Sequence, residues 1–333
     1  GPHPETQIEW WYTTGNVRTG AGRRFGFEVT FFRIGLDPEA DPGARASEWA
    51  TRDLHMAHFA ITDVDGDRFH AFDRFTRGAF GLAGAEGDPW RVWNETWRLQ
   101  ARDGSEAPFP IELVAADLED GTPIALDLTL TGVTPMVLQG DRGFSRKGPE
   151  PGNASLYYTY PRLAVTGTIT AADGSHPVEG TAWFDHEWST SVLSDELAGW
   201  DWFALQLDDE RALMAYGLRR GDGSFSPESA ATWIAADGTV RKLSASEFSI
   251  EVIDRWRSPH TTIEYPALWR IEVPALELDL TVTPVRSDQE LRLATVYWEG
   301  AVDTAGTIDG APAAGVGYVE LVGYGESEAI AEE

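Results

Sequence analysis

The sequence contains no cysteine, and this absence excludes several kinds of site at once. Disulfide bonds, thiolate catalysis and cysteine-based zinc sites all need a residue that the chain lacks. No apolar run approaches the ~20 residues that a membrane helix requires, so no transmembrane segment is predicted. No signal peptide is visible either, and the chain starts at Gly1, so these features leave export open.

Positive charge is also scarce. The chain has 26 Lys and Arg residues against 54 Asp and Glu residues, which gives a formal net charge of −28. A surface this negative repels nucleic-acid phosphates and anionic lipid headgroups. We therefore predict no nucleic-acid partner, and we interpret the charge as that of a soluble acidic protein.

Helical periodicity is rare, and the common nucleotide-binding and serine-hydrolase motifs are missing. One short helix is predicted over Ala44–Ala57, and a helical turn or a loop over Ser189–Leu197. Elsewhere, short runs alternate apolar and polar residues, as in Leu276–Thr283. Asp-Gly pairs such as Asp120-Gly121 separate these runs and are typical of β-hairpin turns. The sequence thus predicts an all-β fold.

Two domains are expected from the length of 333 residues. A weak internal repeat, or echo, in the sequence supports a duplicated barrel. Each copy has an aromatic segment, Trp10-Trp11-Tyr12 or Trp200-Asp201-Trp202-Phe203, followed by a turn and a second aromatic strand. We predict an N-terminal barrel over residues 1–180, a C-terminal barrel over 181–325 and an acidic tail over 326–333.

Tryptophans and ionisable residues are concentrated between positions 181 and 203. If this segment is a strand, Trp183 and Asp185 share one face, and His186 and Trp188 share the other. A histidine beside a tryptophan suits proton handling in an apolar site. Asp201 lies between two tryptophans, and burial there would raise its pKa and make it a usable acid.

A structural interpretation of the same cluster stays open, namely a buried ion pair and core aromatics at a domain junction. A metal site that combines His55, His58, His186 and a carboxylate is a second alternative, but this spacing is not specific. The other histidines, including His3 and His70, are predicted to be surface residues. We expect neither a metal nor a cofactor.

Three passages carry a resemblance to a known family: Gly1-Pro2-His3-Pro4 with Glu9-Trp10-Trp11-Tyr12, Asn153-x-Ser155-x-Tyr157-Tyr158, and Trp183-x-Asp185-His186-Glu187-Trp188. Together they resemble the lipocalin-like AttH / carotenoid 1,2-hydratase family (hydroxyneurosporene synthase, CrtC-like). The resemblance implies two packed lipocalin-like antiparallel barrels with an apolar site. It also implies a periplasmic or secreted protein and, as partners, an apolar small molecule and ABC transporter components.

The hydratase branch of this family pairs a His-x-Trp with a downstream Tyr-x-Asp. His186 and Trp188 match the first pair, whereas Tyr216 is followed two residues later by Leu218. Leu218 therefore stands where the hydratase branch has its acid. Asp185 or Asp201 is the candidate to replace that acid. The candidate catalytic residues are His186, Asp185, Asp201 and Tyr216, and the candidate ligand-binding residues are Trp10, Trp11, Trp183, Trp188, Trp200, Trp202 and Tyr158.

We therefore expect binding of an isoprenoid, polyene or lipid in a tryptophan-rich cavity, with hydratase-like or pericyclase-like chemistry as its extension. The alternative is a transporter-associated exported protein that interacts with partners and catalyses nothing.

Overall fold

A computed structural model describes residues 1–36, 51–102, 109–150, 152–190, 194 and 196–325. The chain forms two compact units. The first comprises Gly1–Arg146 and Glu150–Val192, and the second comprises Lys147–Pro149 and Leu193–Glu333. The predicted acidic tail and the first half of the predicted helix over Ala44–Ala57 lie outside the described residues.

The first unit is one antiparallel sheet that curls into a barrel. Its order is β4-β3-β2-β1-β13-β12-β9-β8-β7-β6-β5, with β10 and β11 paired to β12. The strands are β1 (Ile8–Arg18), β2 (Arg24–Gly35), β3 (Asp53–Asp63), β4 (Arg68–Arg77), β5 (Ala83–Gly87), β6 (Trp90–Asn94), β7 (Trp97–Ala101), β8 (Ile111–Glu119), β9 (Thr122–Gly132), β10 (Val137–Leu138), β11 (Phe144–Arg146), β12 (Ala154–Ala171) and β13 (Gly174–Ser189).

Side-chain hydrogen bonds join β4, at one end of the strand order, to β6 and Thr96 near the other end. The Thr76 hydroxyl donates to the Asn94 side-chain oxygen, and Arg74 Nη1 donates to Thr96 Oγ1 at 2.8 Å. Burial of apolar side chains from both halves, such as Phe59 against Trp97 at 5.6 Å, stabilises the interior.

The second unit is a smaller antiparallel sheet that curls into a half-barrel. Its order is β17-β16-β15-β14-β23-β22-β20-β19-β18, with β21 paired to β22. The strands are β14 (Leu197–Leu207), β15 (Ala212–Arg220), β16 (Ala230–Ile234), β17 (Val240–Ser244), β18 (Ser249–Arg257), β19 (Glu264–Val273), β20 (Leu278–Pro284), β21 (Glu290–Arg292), β22 (Val296–Ile308) and β23 (Ala311–Val322).

The two units repeat one topology. In each, the first strand lies between the second strand and the last strand, so β1 pairs with β2 and β13, and β14 pairs with β15 and β23. The predicted echo corresponds to these first two strands of each unit. The predicted all-β, lipocalin-like architecture is thus confirmed.

The boundary between the units differs from the position expected at 180/181. That position lies inside β13, which pairs with β1 and β12 along most of its length. A strand held by two neighbours of the same sheet belongs to that sheet, so the first unit extends to Val192.

Local patterns were predicted with mixed success. Asp120 and Gly121 have φ values of 50° and 81°, as expected for a tight hairpin turn between β8 and β9. Leu278, Leu280 and Val282 are buried in alternation as predicted. The helix expected over Ala44–Ala57 is wrong for its described end, which lies in β3, because strand pairing overrides local propensity. No helix among the described residues is long and apolar enough to cross a membrane.

Candidate functional site

The site is centred on His186 in β13, which lies between β1 and β12 in the first unit. Trp11 and Tyr158 are the residues directly opposite His186 on these two strands. Directly opposite residues share a sheet face, so the three rings stand side by side. The Trp11 and Tyr158 ring centroids lie 4.9 Å and 5.1 Å from that of His186. Trp188, two residues along β13, lies at 4.7 Å.

Glu9 supplies the charge of this aromatic cluster. Its side chain is fully buried, and its Oε1 atom lies 2.8 Å from both His186 Nε2 and His3 Nδ1. The other oxygen, Oε2, accepts a hydrogen bond from Arg33 Nε at 3.1 Å and from the His3 backbone N–H at 2.9 Å. Four donors therefore satisfy a carboxylate that burial alone would destabilise.

Arg33 is the cation that compensates Glu9. Its guanidinium also reaches Asp53 Oδ1 at 3.0 Å and the Thr6 carbonyl at 2.9 Å. Because Arg33 donates to the His3 carbonyl at 2.7 Å as well, it holds the N-terminal segment against β1. The planar donor array of arginine makes such a convergence feasible.

The electrostatic consequences differ along the cluster. Burial raises the pKa of Glu9, but hydrogen bonds from His186 and His3 outweigh it and hold the pKa well below its usual range. Burial lowers the pKa of His186 to about 4, although the hydrogen bond with Glu9 opposes this shift. Burial also raises the pKa of the Tyr158 hydroxyl. At neutral pH the cluster holds an ionised Glu9, a neutral His186 and a neutral Tyr158.

His3 connects the cluster to solvent. Its side chain is 25% exposed, and its ring stacks on Trp188 with a centroid distance of 3.8 Å and an interplanar angle of 4°. This stacking fixes the orientation of the imidazole that faces Glu9. The prediction that His3 is a surface residue is therefore wrong for most of its side chain.

His3, Glu9 and His186 also have the donor types of a metal site. One ligand atom from each lies within 4.8 Å of the others, which is close enough to surround one cation. In the described geometry these atoms hydrogen-bond each other directly, and the positive Arg33 contacts the same carboxylate. The arrangement fits a hydrogen-bonded cluster better than a cation site.

Asp185 lies on the opposite face of β13 from His186. It accepts hydrogen bonds from Tyr157 at 2.6 Å, Thr159 at 2.5 Å and Trp183 at 2.9 Å. Burial raises its pKa to about 7 against these three bonds. Asp185, a candidate acid, therefore does not contact His186, because successive strand residues point to opposite faces, and Glu9 is the carboxylate that contacts His186. Trp10 shares the Asp185 face by register.

Four predicted site residues belong to the second unit. Asp201 is 1% exposed and accepts a hydrogen bond from the Tyr324 hydroxyl at 2.9 Å, with Arg219 Nε at 3.6 Å. Burial raises the pKa of Asp201 to about 6, while the charge of Arg219 lowers it. The other three are placed as follows: Trp200 Nε1 donates to Glu320 at 2.8 Å, Trp202 is buried, and the Tyr216 ring lies beneath Lys147 Nζ at 4.5 Å.

The remaining histidines do not form the alternative metal site. His55 and His58 are three residues apart on β3 and therefore face opposite sides of the sheet. His70 is buried and pairs with Glu119 at 2.7 Å, so its predicted surface position is also wrong.

Three residues of the cluster were not singled out from sequence: His3, Glu9 and Arg33. His3 and Glu9 occur in the passages that carry the family resemblance, which was the available signal. Glu9 is 177 residues from His186, and only the pairing of β1 with β13 brings them together. Arg33 lies opposite Glu9 on β2, a register that local sequence does not specify.

Comparison with known proteins gives the class of this molecule. A structure described as AttH (NE1406) from Nitrosomonas europaea is 36% identical and has a TM-score of 0.84, covering 97% of this chain and 94% of that one. Kievitone hydratase from Nectria haematococca is 16% identical, with a TM-score of 0.71 and coverage of 95% and 89%. CghA, solved with Sch210972, is 14% identical, with a TM-score of 0.54 and coverage of 95% and 88%.

These similarities define a lipocalin-like protein of two β units. Residues 1–324 match the AttH-like family, and the chain belongs to that family. The family expected from the three sequence passages is thereby confirmed. No curated protein sequence matches the chain.

Proposed function

We propose that the first unit binds an apolar small molecule that contains a carbon–carbon double bond, and that the His186 cluster carries out proton-initiated, hydratase-like chemistry on it. One observation supports this most directly: the sheet face that carries His186 and Trp188 continues into exposed apolar side chains. Such a face combines a surface for an apolar ligand with a group that transfers protons.

The register of β12 establishes this continuity. Leu156 lies opposite Trp188 on β13 and opposite Phe144 on β11, so the three side chains share one face. Leu138 of β10 lies opposite Tyr158, which in turn lies opposite His186. Leu138, Phe144 and Leu156 are 43%, 46% and 44% exposed. Exposed apolar side chains grouped in this way are typical of binding surfaces.

The aromatic rings suit the chemistry. Protonation of a trisubstituted alkene produces a tertiary carbocation, which the negative faces of aromatic rings stabilise. Trp11, Tyr158 and Trp188 all lie within ring-contact distance of His186. Kievitone hydratase, whose name denotes a hydratase, has the same fold over 95% of this chain, which supports hydration as the reaction class.

Binding is tested with parinaric acid, a fluorescent polyene, titrated against the full chain. We expect saturable binding that Leu156→Asn weakens by about tenfold, because it places an amide on the apolar face. Leu118→Asn is the matched control, since Leu118 of β8 is 62% exposed and lies outside this face. Equal effects of both substitutions would contradict the assigned surface.

The reaction is tested with acyclic isoprenoid alkenes in isotopically labelled water. The expected product carries one labelled water, and its formation is lost in His186→Gln. If the chain binds no polyene and incorporates no label, the alternative of a non-catalytic interaction protein is favoured, and the exposed apolar side chains would then contact a protein partner.

A further inference from the structure

Four side chains in the first unit form one continuous series of short contacts. His3 Nδ1 lies 2.8 Å from Glu9 Oε1, and the same oxygen lies 2.8 Å from His186 Nε2. His186 Nδ1 lies 2.9 Å from the Tyr158 hydroxyl. Each contact has hydrogen-bond length, so no bridging water is needed between neighbouring members of the series.

The chemistry of Glu9 assigns the hydrogens. A carboxylate only accepts hydrogen bonds, so both His3 Nδ1 and His186 Nε2 must carry the hydrogen in their contacts with Glu9. A neutral His186 then has an unprotonated Nδ1, which accepts from the Tyr158 O–H. The low pKa of His186 is consistent with this neutral tautomer.

The two ends of the series lie in different surroundings. His3 is 25% exposed, whereas the side chains of Glu9 and His186 are fully buried. At the other end, Tyr158 contacts Trp188 and Tyr160 at ring distances of 6.1 Å and 6.0 Å and lies opposite the exposed Leu138. The series therefore connects solvent to the apolar face.

We propose that His3, Glu9, His186 and Tyr158 form a proton relay, in which Tyr158 is the catalytic residue that exchanges a proton with the bound alkene. This proposal rests on the proposed function, which supplies the bound alkene. It adds a role for each of the four residues. Glu9 is a positioning residue that accepts from His186 Nε2–H and stabilises the imidazolium, and His3 positions Glu9 by donating to the same oxygen.

The proton balance closes over one hydration. The relay is loaded when one proton taken up from solvent converts the neutral His186 of the resting cluster to an imidazolium beside ionised Glu9, so that its Nδ1–H donates to the Tyr158 oxygen. The alkene π electrons form a C–H bond with the Tyr158 hydroxyl proton, and the Nδ1 proton moves to the Tyr158 oxygen. Water then forms a C–O bond with the carbocation, and its extra proton returns through Tyr158 to His186. The net reaction adds one water to the alkene and restores the loaded relay.

The charges around His186 also favour this order of steps. When the carbocation forms, His186 becomes neutral and the negative Glu9 remains nearby, so the cation is not opposed by a second positive charge on the imidazole. The charged and titratable groups around His186 are Glu9 on β1, Arg33 on β2, Tyr158 on β12, His3 and the chain amino group.

Nuclear magnetic resonance of the full chain with isotope-labelled histidine tests the relay without any substrate. The expected result is an Nε2–H tautomer of His186, with Nδ1 shifted by hydrogen bonding in wild type but not in Tyr158→Phe. Glu9→Gln should shift the His186 Nε2 resonance, because it removes the carboxylate that accepts the Nε2–H hydrogen bond.

The matched control is His176→Gln. His176 also lies on β13 and contacts a carboxylate, Asp173, at 2.9 Å, but it is separate from the series. This substitution should leave the His186 resonances unchanged. An Nδ1–H tautomer of His186, or a stoichiometric metal ion that survives dialysis and shifts both His3 and His186, would overturn the relay.

Turnover of an isoprenoid alkene, once detected, gives a second readout. Tyr158→Phe should reduce turnover by about a hundredfold and His3→Gln by about tenfold, with parinaric acid affinity within about twofold of wild type. Unchanged turnover in Tyr158→Phe would refute its role. Failure of wild type to bind the polyene would contradict the proposed function, while the resonance experiment would still decide whether the relay exists.

Discussion

The first strand of each unit carries a buried carboxylate, and the two carboxylates differ in their partners. Glu9 in β1 contacts Arg33 from β2 at 3.1 Å, and Asp201 in β14 lies 3.6 Å from Arg219 in β15. In each unit, a carboxylate on the first strand therefore lies near an arginine on the second strand. What differs is the neighbouring last strand.

In the first unit, the last strand supplies an ionisable ring, because β13 places His186 2.8 Å from Glu9. In the second unit, β23 places Leu321 opposite Asp201, and Tyr324 beyond the strand donates to the carboxylate at 2.9 Å. Glu9 is thus hydrogen-bonded to an imidazole, which can exchange protons. Asp201 instead lies beside the Arg219 guanidinium and accepts a hydrogen bond from the Tyr324 phenol. The two units therefore share a strand topology, but the carboxylate of the first contacts an imidazole and that of the second contacts a phenol and a guanidinium.

The largest expected difference concerns the two arginines. Arg33→Met should lower the free energy of unfolding by about 3–5 kcal/mol, because Glu9 stays charged and buried without its cation. Arg219→Met should cost about 1–2 kcal/mol, since Asp201, with a pKa already raised to about 6, then takes up a proton. Urea denaturation at neutral pH measures both free energies of unfolding. Equal losses of stability would show that the two carboxylate–arginine pairs are equivalent.

The pH dependence of stability gives the next comparison, between Asp185 and Asp201. A raised pKa means that the folded state keeps a proton that the unfolded chain has lost. Stability therefore falls as pH rises from the ordinary value of 3.8 to about 7 for Asp185, and from 3.8 to about 6 for Asp201.

Replacement by asparagine removes this pH-dependent loss. The stability of Asp185→Asn relative to wild type should improve by on the order of 4 kcal/mol across that pH window, and that of Asp201→Asn by on the order of 3 kcal/mol. Urea denaturation at several pH values measures the trend. A stability difference that does not change with pH would show that the carboxyl group is ionised throughout.

A smaller difference is expected between two half-buried tryptophans, Trp188 of the first unit and Trp200 of the second. Trp188→Ala should weaken parinaric acid binding by about tenfold while changing the melting temperature little, because it removes ring contact from the apolar face. Trp200→Ala should leave affinity within about twofold. The opposite pattern would move the ligand site to the second unit.

The smallest effects are expected at exposed ion pairs, where the units should behave alike. Arg98 lies 2.8 Å from Glu112 in the first unit, and Arg270 lies 2.7 Å from Asp279 in the second. In urea denaturation, Glu112→Gln and Asp279→Asn should each change the free energy of unfolding only slightly and by similar amounts, since water screens both pairs. A larger loss at one pair would reveal a further asymmetry between the units.

The sequence by itself determined the strands, several turns and the family. Alternation at Leu278, Leu280 and Val282 and the turn at Asp120-Gly121 are local properties of the chain, because side-chain period and backbone φ depend on near neighbours. The importance of His186 and Trp188 was also visible, since they stand in a short motif.

Only the tertiary structure decided which carboxylate accompanies His186. Asp185 is adjacent in sequence, but strand geometry turns it to the opposite face, while Glu9 arrives from 177 residues away through the pairing of β1 with β13. That register is set by burial across the whole sheet and not by any short segment. The same packing across the whole sheet places the observed unit boundary after β13 and not at the expected position 180/181. It also divides the predicted site residues between the two units.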